Sequence, residues 1–316
     1  MVWAYACLGL IILLLAGDAL VRGAVNLALR LGIPALIVSL TIVAFGTSAP
    51  ELLISIQAVL KGVPGIAIGN VVGSNTANIL LVLGFPAILA VLHTSACESR
   101  KSFNQMIAAS LVFIALAFRG VFDMLSGAVL LAILAYILID AVNDAKRHRR
   151  ACCNNPDEDE PEGADPDMPW WKILVFLGLG LIGLPLGADL LIDAAEVIAR
   201  RFGVSQSVIG LTLVALGTSL PELATTTMAA LRRQADVALG NVIGSNMFNL
   251  LAIIGIASFV GPLPVDPSFL YLDLWVMLGA SVLLVPFVFF KQDINRVWGV
   301  ALTLLYVLYI ACIFLF

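Results

Sequence analysis

The sequence predicts an all-α polytopic membrane protein, with ten transmembrane helices arranged as two inverted five-helix repeats. Three observations point there. Of 316 residues, 61% are hydrophobic and 12% charged, with a mean hydropathy of +1.05, which leaves too little polar surface for a water-soluble domain. Apolar runs of about 20 residues, the length a helix needs to cross the hydrocarbon core, recur along the chain. They are continuous rather than alternating, which excludes a β-barrel. Finally, one block occurs twice. Gly46-Thr-Ser-Ala-Pro-Glu51 returns as Gly217-Thr-Ser-Leu-Pro-Glu222, and Gly69-Asn-Val-Val-Gly-Ser-Asn-Thr-Ala-Asn78 returns as Gly240-Asn-Val-Ile-Gly-Ser-Asn-Met-Phe-Asn249, both at an offset of 171 residues.

Taken in order, the predicted spans lie near 2–29, 33–60, 64–91, 103–118, 122–142, 170–199, 204–231, 235–260, 269–290 and 297–316. Residues 1–142 make the first repeat and 170–316 the second. Between them, 143–169 is a polar linker rich in Pro, Asp and Glu, of the composition that stays flexible. Five spans per repeat is an odd number, so the second copy has to enter the membrane from the opposite side. The duplication is wider than its motifs: residues 32–85 align without gaps to 203–256, with 23 identities in 54 positions.

Charge sets the orientation. With the N-terminus outside, the inner loops hold Arg30, Arg100, Lys101, Lys146, Arg147, Arg149, Arg150, Lys172, Arg232, Arg233, Lys291 and Arg296, whereas the outer loops hold Lys61, Arg119, Arg200 and Arg201. Basic residues favour the cytoplasmic side. Both termini are therefore expected outside and the linker in the cytoplasm. The cluster Lys146–Arg150 directly follows a span and reads as a topology anchor, so no nucleic-acid partner is expected. No basic stretch precedes the apolar residues that begin at Val2, and no cleavable signal peptide is predicted. Cys7, Cys97, Cys152, Cys153 and Cys312 have no metal-binding spacing and read as inert thiols.

The doubled block carries the chemistry. Thr47 and Glu51 are four residues apart and share a helix face. Pro50 cannot donate a backbone hydrogen bond and its ring crowds the carbonyl of Gly46. The helix should kink or break there, freeing carbonyls from about Ala44 to Thr47. Ser74 and Asn78 share a face of the next span, beside Gly69 and Gly73, which permit close helix approach. Thr218, Pro221, Glu222, Gly240, Gly244, Ser245 and Asn249 repeat each feature. Each single Ser or Thr is as readily explained by a bond to its own backbone. A mid-membrane carboxylate beside a proline, present twice, is not. Inversion would bring the copies face to face around a cage of hard oxygen donors. Neither motif contains His, Cys or Met, which disfavours zinc, copper and iron. Such a cage suits Ca²⁺, with its 6–8 oxygens in flexible geometry, better than Mg²⁺, and it could also host Na⁺.

Other charged groups have plainer explanations. Asp18 and Asp189 occupy equivalent positions and read as capping or interhelical hydrogen-bonding residues. The acidic stretch 157–167 lacks the Gly-centred spacing of an EF-hand loop and reads as a solvated linker.

The two motifs resemble the α-repeats of the sodium/calcium exchanger family, within the cation/calcium exchanger superfamily, in its prokaryotic form. The resemblance implies Na⁺/Ca²⁺ antiport, electrogenic and by alternating access, in the cell membrane, with Ca²⁺ and Na⁺ as transported ions and no cofactor. Carried over by motif position, Glu51 and Glu222 would ligate Ca²⁺ with the carbonyls of Thr47 and Thr218. Ser48, Ser74, Ser219 and Ser245, with the carbonyls of Ala44 and Ala215, would complete Na⁺ sites, and Asn78 and Asn249 would line the centre. Some members, K⁺-dependent relatives among them, carry Asp where this chain has Asn249, which weakens K⁺ cotransport here. The H⁺/Ca²⁺ branch has Glu where this chain has Gly73 and Gly244. Coupling to H⁺ or K⁺ on the same fold is the runner-up, and a cation channel stands further off. An enzyme is not expected, because neither motif supplies a nucleophile elbow or a histidine base. A monomer is one reading of its assembly, which the sequence leaves open.

Overall fold

The computed structural model describes residues 2–152, 165, 167–201 and 215–315. The chain is almost wholly helical. Helix α1 spans Val2–Leu31. Helix α2 comes in two limbs, Ala35–Thr47 and Ala49–Leu60, bent by 42°. Then follow α3 (Gly65–Leu89), α4 (Arg100–Ala117), α5 (Met124–Cys152) and α6 (Trp170–Arg201). The described part of α7 is Ala215–Thr218 and Leu220–Leu231. Helices α8 (Ala235–Val260), α9 (Phe269–Phe289) and α10 (Arg296–Leu315) complete the chain.

Among the described residues, six helices are long and apolar enough to cross a membrane, namely α1, α3, α5, α6, α8 and α9, and the bent α2 makes a seventh. Helix α4 opens on Arg100, Lys101, Asn104 and Gln105, while α10 is predominantly apolar from Val297 onward. The predicted span 204–231 lies partly outside the described residues.

Two helices sit at the centre. The most apolar stretches of α3 and α8 are 78% and 89% buried, against 33% for α1 and α6. They can be central because Gly and Ala let neighbours approach closely. Gly240 and Gly244 of α8 pack on Leu36–Ala44 of α2. At the periphery α1 and α6 lie antiparallel through small residues: Gly9 meets Gly187 and Leu191, Ala16 meets Gly183, Leu20 meets Gly180, and Gly23 meets Leu177. Their other faces present exposed leucines and isoleucines such as Leu15 and Ile182, as a lipid-facing surface does. Short strand contacts tie the loops: Phe122 pairs with Leu263, and Leu92 bridges Ile294.

Two expectations need correction. Helix α5 runs on to Cys152, so the linker does not begin at 143, and Lys146–Arg150 lies within a helix rather than after one. Pairing supports the extension, since Lys101 bonds both Asp140 and Asp144 one turn apart on α5. The linker's far end is also held, because the Asp165 backbone N–H donates to Asn26 Oδ1 on α1 at 2.8 Å. Cys153 and most of the acidic stretch lie outside the described residues. Asp18 is an interhelical group as expected, bonded to Arg22 at 3.0 Å and to Arg232 beyond the end of α7.

Candidate ion-binding site

The site is built around two matching breaks. At Ser48 (φ −85°, ψ 5°) and at Ser219 (φ −87°, ψ 3°) the chain leaves one helical limb and starts another. Pro50 and Pro221 fall in the first turn of the new limb, where a missing N–H costs nothing. Glu51 and Glu222 occupy the same first turn, where the exposed N–H groups of a helix start favour a carboxylate. The break falls between Gly46 and Pro50 as expected, but it does not free the Ala44 carbonyl. Ala44 O still accepts from the Ser48 N–H at 3.1 Å, with Thr47 Oγ1 3.3 Å away. It is not freed, because helical bonding survives to Ser48 and Pro50 removes a donor only one turn further on; one lone pair of the carbonyl is already used. Ala215 occupies the matching turn before the second break.

Both carboxylates are buried, each 1% exposed. Glu51 lies within electrostatic reach of the Thr218 hydroxyl and of the Glu222 carboxylate. Glu222 faces Thr47, and Ser48 Oγ donates to its Oε1 at 3.3 Å. Among the described residues, no ion pair reaches either glutamate, and no cluster of three His, Cys, Asp or Glu side chains occurs. Any ion here is held by two carboxylates and neutral oxygens.

The third and eighth helices supply those oxygens. Asn78 and Asn249 are buried where each helix loosens into a π turn, Asn78–Val82 and Phe248–Ile253, a distortion frequent at functional sites. The hydrogen bonds within and between the copies repeat under the 171-residue offset. Thr47 Oγ1 donates to Asn241 Oδ1 at 3.3 Å, and Thr218 Oγ1 to Asn70 Oδ1 at 3.5 Å. Asn70 Nδ2 reaches Ser55 Oγ at 3.4 Å, and Asn241 Nδ2 reaches Thr226 Oγ1 at 3.2 Å. Asn78 Nδ2 donates to Asn246 Oδ1, and Asn249 Nδ2 to Asn75 Oδ1, both at 3.0 Å. Residue i touching j while j's copy touches i's copy is the mark of a twofold relation.

Six buried side-chain oxygens lack a hydrogen-bond partner among the described residues. Five of them belong here: Glu51 Oε2, Glu222 Oε2, Asn78 Oδ1, Asn249 Oδ1 and Ser219 Oγ. Buried polar atoms are rarely left so, and a cation is the kind of partner that would satisfy them. The structure thus groups Glu222 with Ser48 and Thr47, Glu51 with Thr218, and Asn78 and Asn249 with Asn246 and Asn75. Ser245 joins through Thr47, 3.5 Å away, while Ser74 is buried one turn before Asn78. Asn70, Asn75, Asn241 and Asn246 belong to the same network but were not singled out from the sequence. Asn70 could have been: it stands four residues before Ser74 and so shares the face already chosen.

A family profile described as "Sodium/calcium exchanger protein" matches residues 1–142 and 172–315. The chain belongs to that family. Its relatives include CaxA of Alkalimonas amylolytica, 36% identical over 96% of each chain, and the sodium/calcium exchanger MaX1 of Methanosarcina acetivorans, 32% identical over 97% of each. Among solved structures, the sodium-calcium exchanger NCX_Mj superposes with a TM-score of 0.83 at 32% identity, covering 98% of this chain and 97% of that one. The family consists of transporters, not enzymes.

Proposed function

We propose that this chain is a secondary active antiporter that exchanges Na⁺ for Ca²⁺ by alternating access and moves net charge in each cycle. The observation that carries the proposal is the pair of buried, mutually repelling carboxylates with no basic partner among the described residues, in a core that also holds orphaned oxygens. Two like charges out of water are strongly unfavourable unless cations join them. In this reading Glu51, Glu222 and the carbonyls of Thr47 and Thr218 hold Ca²⁺. Ser48, Ser74, Ser219 and Ser245, with the second lone pairs of the Ala44 and Ala215 carbonyls, complete Na⁺ sites, and Asn78 and Asn249 line the centre. Neutral amides at those two positions leave two negative charges, which match one divalent cation and speak against a further K⁺.

The reciprocal hydrogen bonds support ten spans in two inverted halves. The Lys/Arg bias supports outer termini and a cytoplasmic linker in a cell membrane. Nothing in the described surface calls for a second subunit, and a monomer suffices.

The test is transport. Purified protein in liposomes loaded with Na⁺ is expected to accumulate radioactive Ca²⁺ above equilibrium, only while the outward Na⁺ gradient lasts. Accumulation driven by an outward proton gradient alone would establish H⁺ coupling instead, an absolute need for K⁺ would establish cotransport, and passive equilibration would make the protein a channel.

A further inference from the structure

Asn78 and Asn249 can serve a cation only if their amides point the right way. The oxygen attracts a cation and the NH₂ repels it, and a flip of the side-chain amide exchanges the two. In this structure the choice is made by two other asparagines. Asn75 Nδ2 donates to the backbone carbonyl of Asn246 at 3.2 Å, and Asn246 Nδ2 donates to the backbone carbonyl of Asn75 at 3.4 Å. A carbonyl is only an acceptor, so these two amides are fixed with nitrogen inward to the backbone. Their remaining N–H groups meet weak acceptors, Met277 Sδ and Met106 Sδ, each at 3.8 Å. Each Oδ1 therefore faces the neighbouring amide. Asn75 Oδ1 takes the Nδ2 of Asn249, and Asn246 Oδ1 takes the Nδ2 of Asn78. The oxygens left over, Asn249 Oδ1 and Asn78 Oδ1, are the two that lack a hydrogen-bond partner.

We propose that Asn75 and Asn246 are positioning residues that lock the amides of Asn249 and Asn78 with oxygen toward the transported cation, each acting across the interface on the opposite copy. The proposal rests on the exchange function above. It has a chemical corollary at Asn249. An ionised Asp there could not donate to Asn75 Oδ1, so Asn75 would have to turn and give up its bond to the Asn246 backbone.

The crossing makes the proposal testable by double-mutant cycles. Ca²⁺ uptake driven by the Na⁺ gradient is measured in liposomes, with KM and maximal rate read separately. Asn75→Leu, which keeps the branched outline and removes the acceptor, is expected to raise the Ca²⁺ KM about tenfold, as losing the partner of a metal ligand does. In an Asn249→Ala background the same change is expected to move KM less than about twofold, because nothing remains to be oriented. In an Asn78→Ala background it is expected to keep its full effect. Asn246→Leu should show the mirror pattern, coupled to Asn78 and independent of Asn249. Asn75→Ser, which only shortens the side chain, carries the same expectation and replaces Asn75→Leu if that variant does not fold. An unchanged KM, or an undiminished effect in Asn249→Ala, would overturn the positioning role. Absence of Na⁺-driven uptake in the wild type would instead overturn the exchange function on which it rests.

Discussion

The two copies agree where they touch the centre and disagree at their long first helices. At the breaks, Ser48 and Ser219 have backbone angles within a few degrees of each other, and the amide bonds are exchanged pair for pair. At α1 and α6 the match ends. Asp18 of α1 holds Arg22 and reaches across to Arg232, while Gly17 brings α1 against the Ala224 carbonyl of α7. The corresponding residues are Asp189, Asp193 and Lys61, an acid now standing where Arg22 was. Among the described residues none of these three forms an ion pair. The difference has a mechanical meaning. Residues that surround one ion must be alike in both halves. The helices that open and close the two faces of an alternating-access transporter must differ in any state with one face open, since the two faces are never open together. In the proposed orientation the second limb of α7 is on the cytoplasmic side, so α1 closes that side here.

The strongest way to break this comparison is at the centre. Glu51→Gln and Glu222→Gln each remove one of two charges that balance a divalent cation. Each is expected to cut Ca²⁺ uptake by at least about 100-fold, ~2.7 kcal/mol, with the variants still folding. The losses should be alike, because the halves share the ion. A variant with near wild-type uptake in the liposome assay would show that its carboxylate is not a ligand.

Next comes the packing that seals the closed side. A cavity of about 850 Å³ lined by Leu36, Leu40, Lys101, Asp140 and Asp236 opens at the start of α2 and reaches none of the site's oxygens. Just beyond Leu40, α8 lies directly on α2. A Cβ at Gly244 would collide with the Leu40 carbonyl oxygen and come 2.6 Å from the Ala44 Cβ. Gly244→Ala is expected to push the helices apart and lower stability by about 1–3 kcal/mol, seen as a lower melting temperature and reduced uptake. Gly279→Ala is the control. A Cβ there meets nothing within 4 Å, and the change should stay within about 1 kcal/mol or stabilise. Equal effects at the two glycines would mean that α8 is not tightly seated.

Much of the fold was legible because membrane helices announce themselves by length and apolarity, and the break because Gly46 and Pro50 disrupt a helix locally. The centre was legible through duplication: an expensive carboxylate placed twice needs a reason. What stayed hidden depends on contacts between copies. Asn75 and Asn246 fall off the face chosen by four-residue spacing, and only the approach of α3 to α8 shows what they hold. The Ala44 carbonyl was misjudged because a proline deprives the residue four back, and Ala44 lies six back. The end of α5 was misplaced because a basic cluster reads equally as loop or as helix end, and the pairing of Lys101 with Asp140 and Asp144 is tertiary information. Nor does a sequence distinguish Asp18 from Asp189, which occupy equivalent places and differ only in what is near them in one state.

That last pair offers the finest discrimination. Asp18 and Arg232 are mostly shielded, with side chains 19% and 23% exposed, so their bond should contribute about 1 kcal/mol, near the upper end for such pairs. A double-mutant cycle of Asp18→Asn and Arg232→Gln, read as melting in the absence of Ca²⁺, is expected to show that coupling. The cycle of Asp189→Asn with Lys61→Gln should show almost none under the same conditions. If alternating access exchanges the environments of the two copies, conditions that trap the opposite state should reverse the result, with Asp189 coupling to Lys61 and Asp18 released from Arg232. Coupling confined to Asp18 in both states would make its ion pair a static brace, and the difference between α1 and α6 would then reflect divergence of the copies rather than motion.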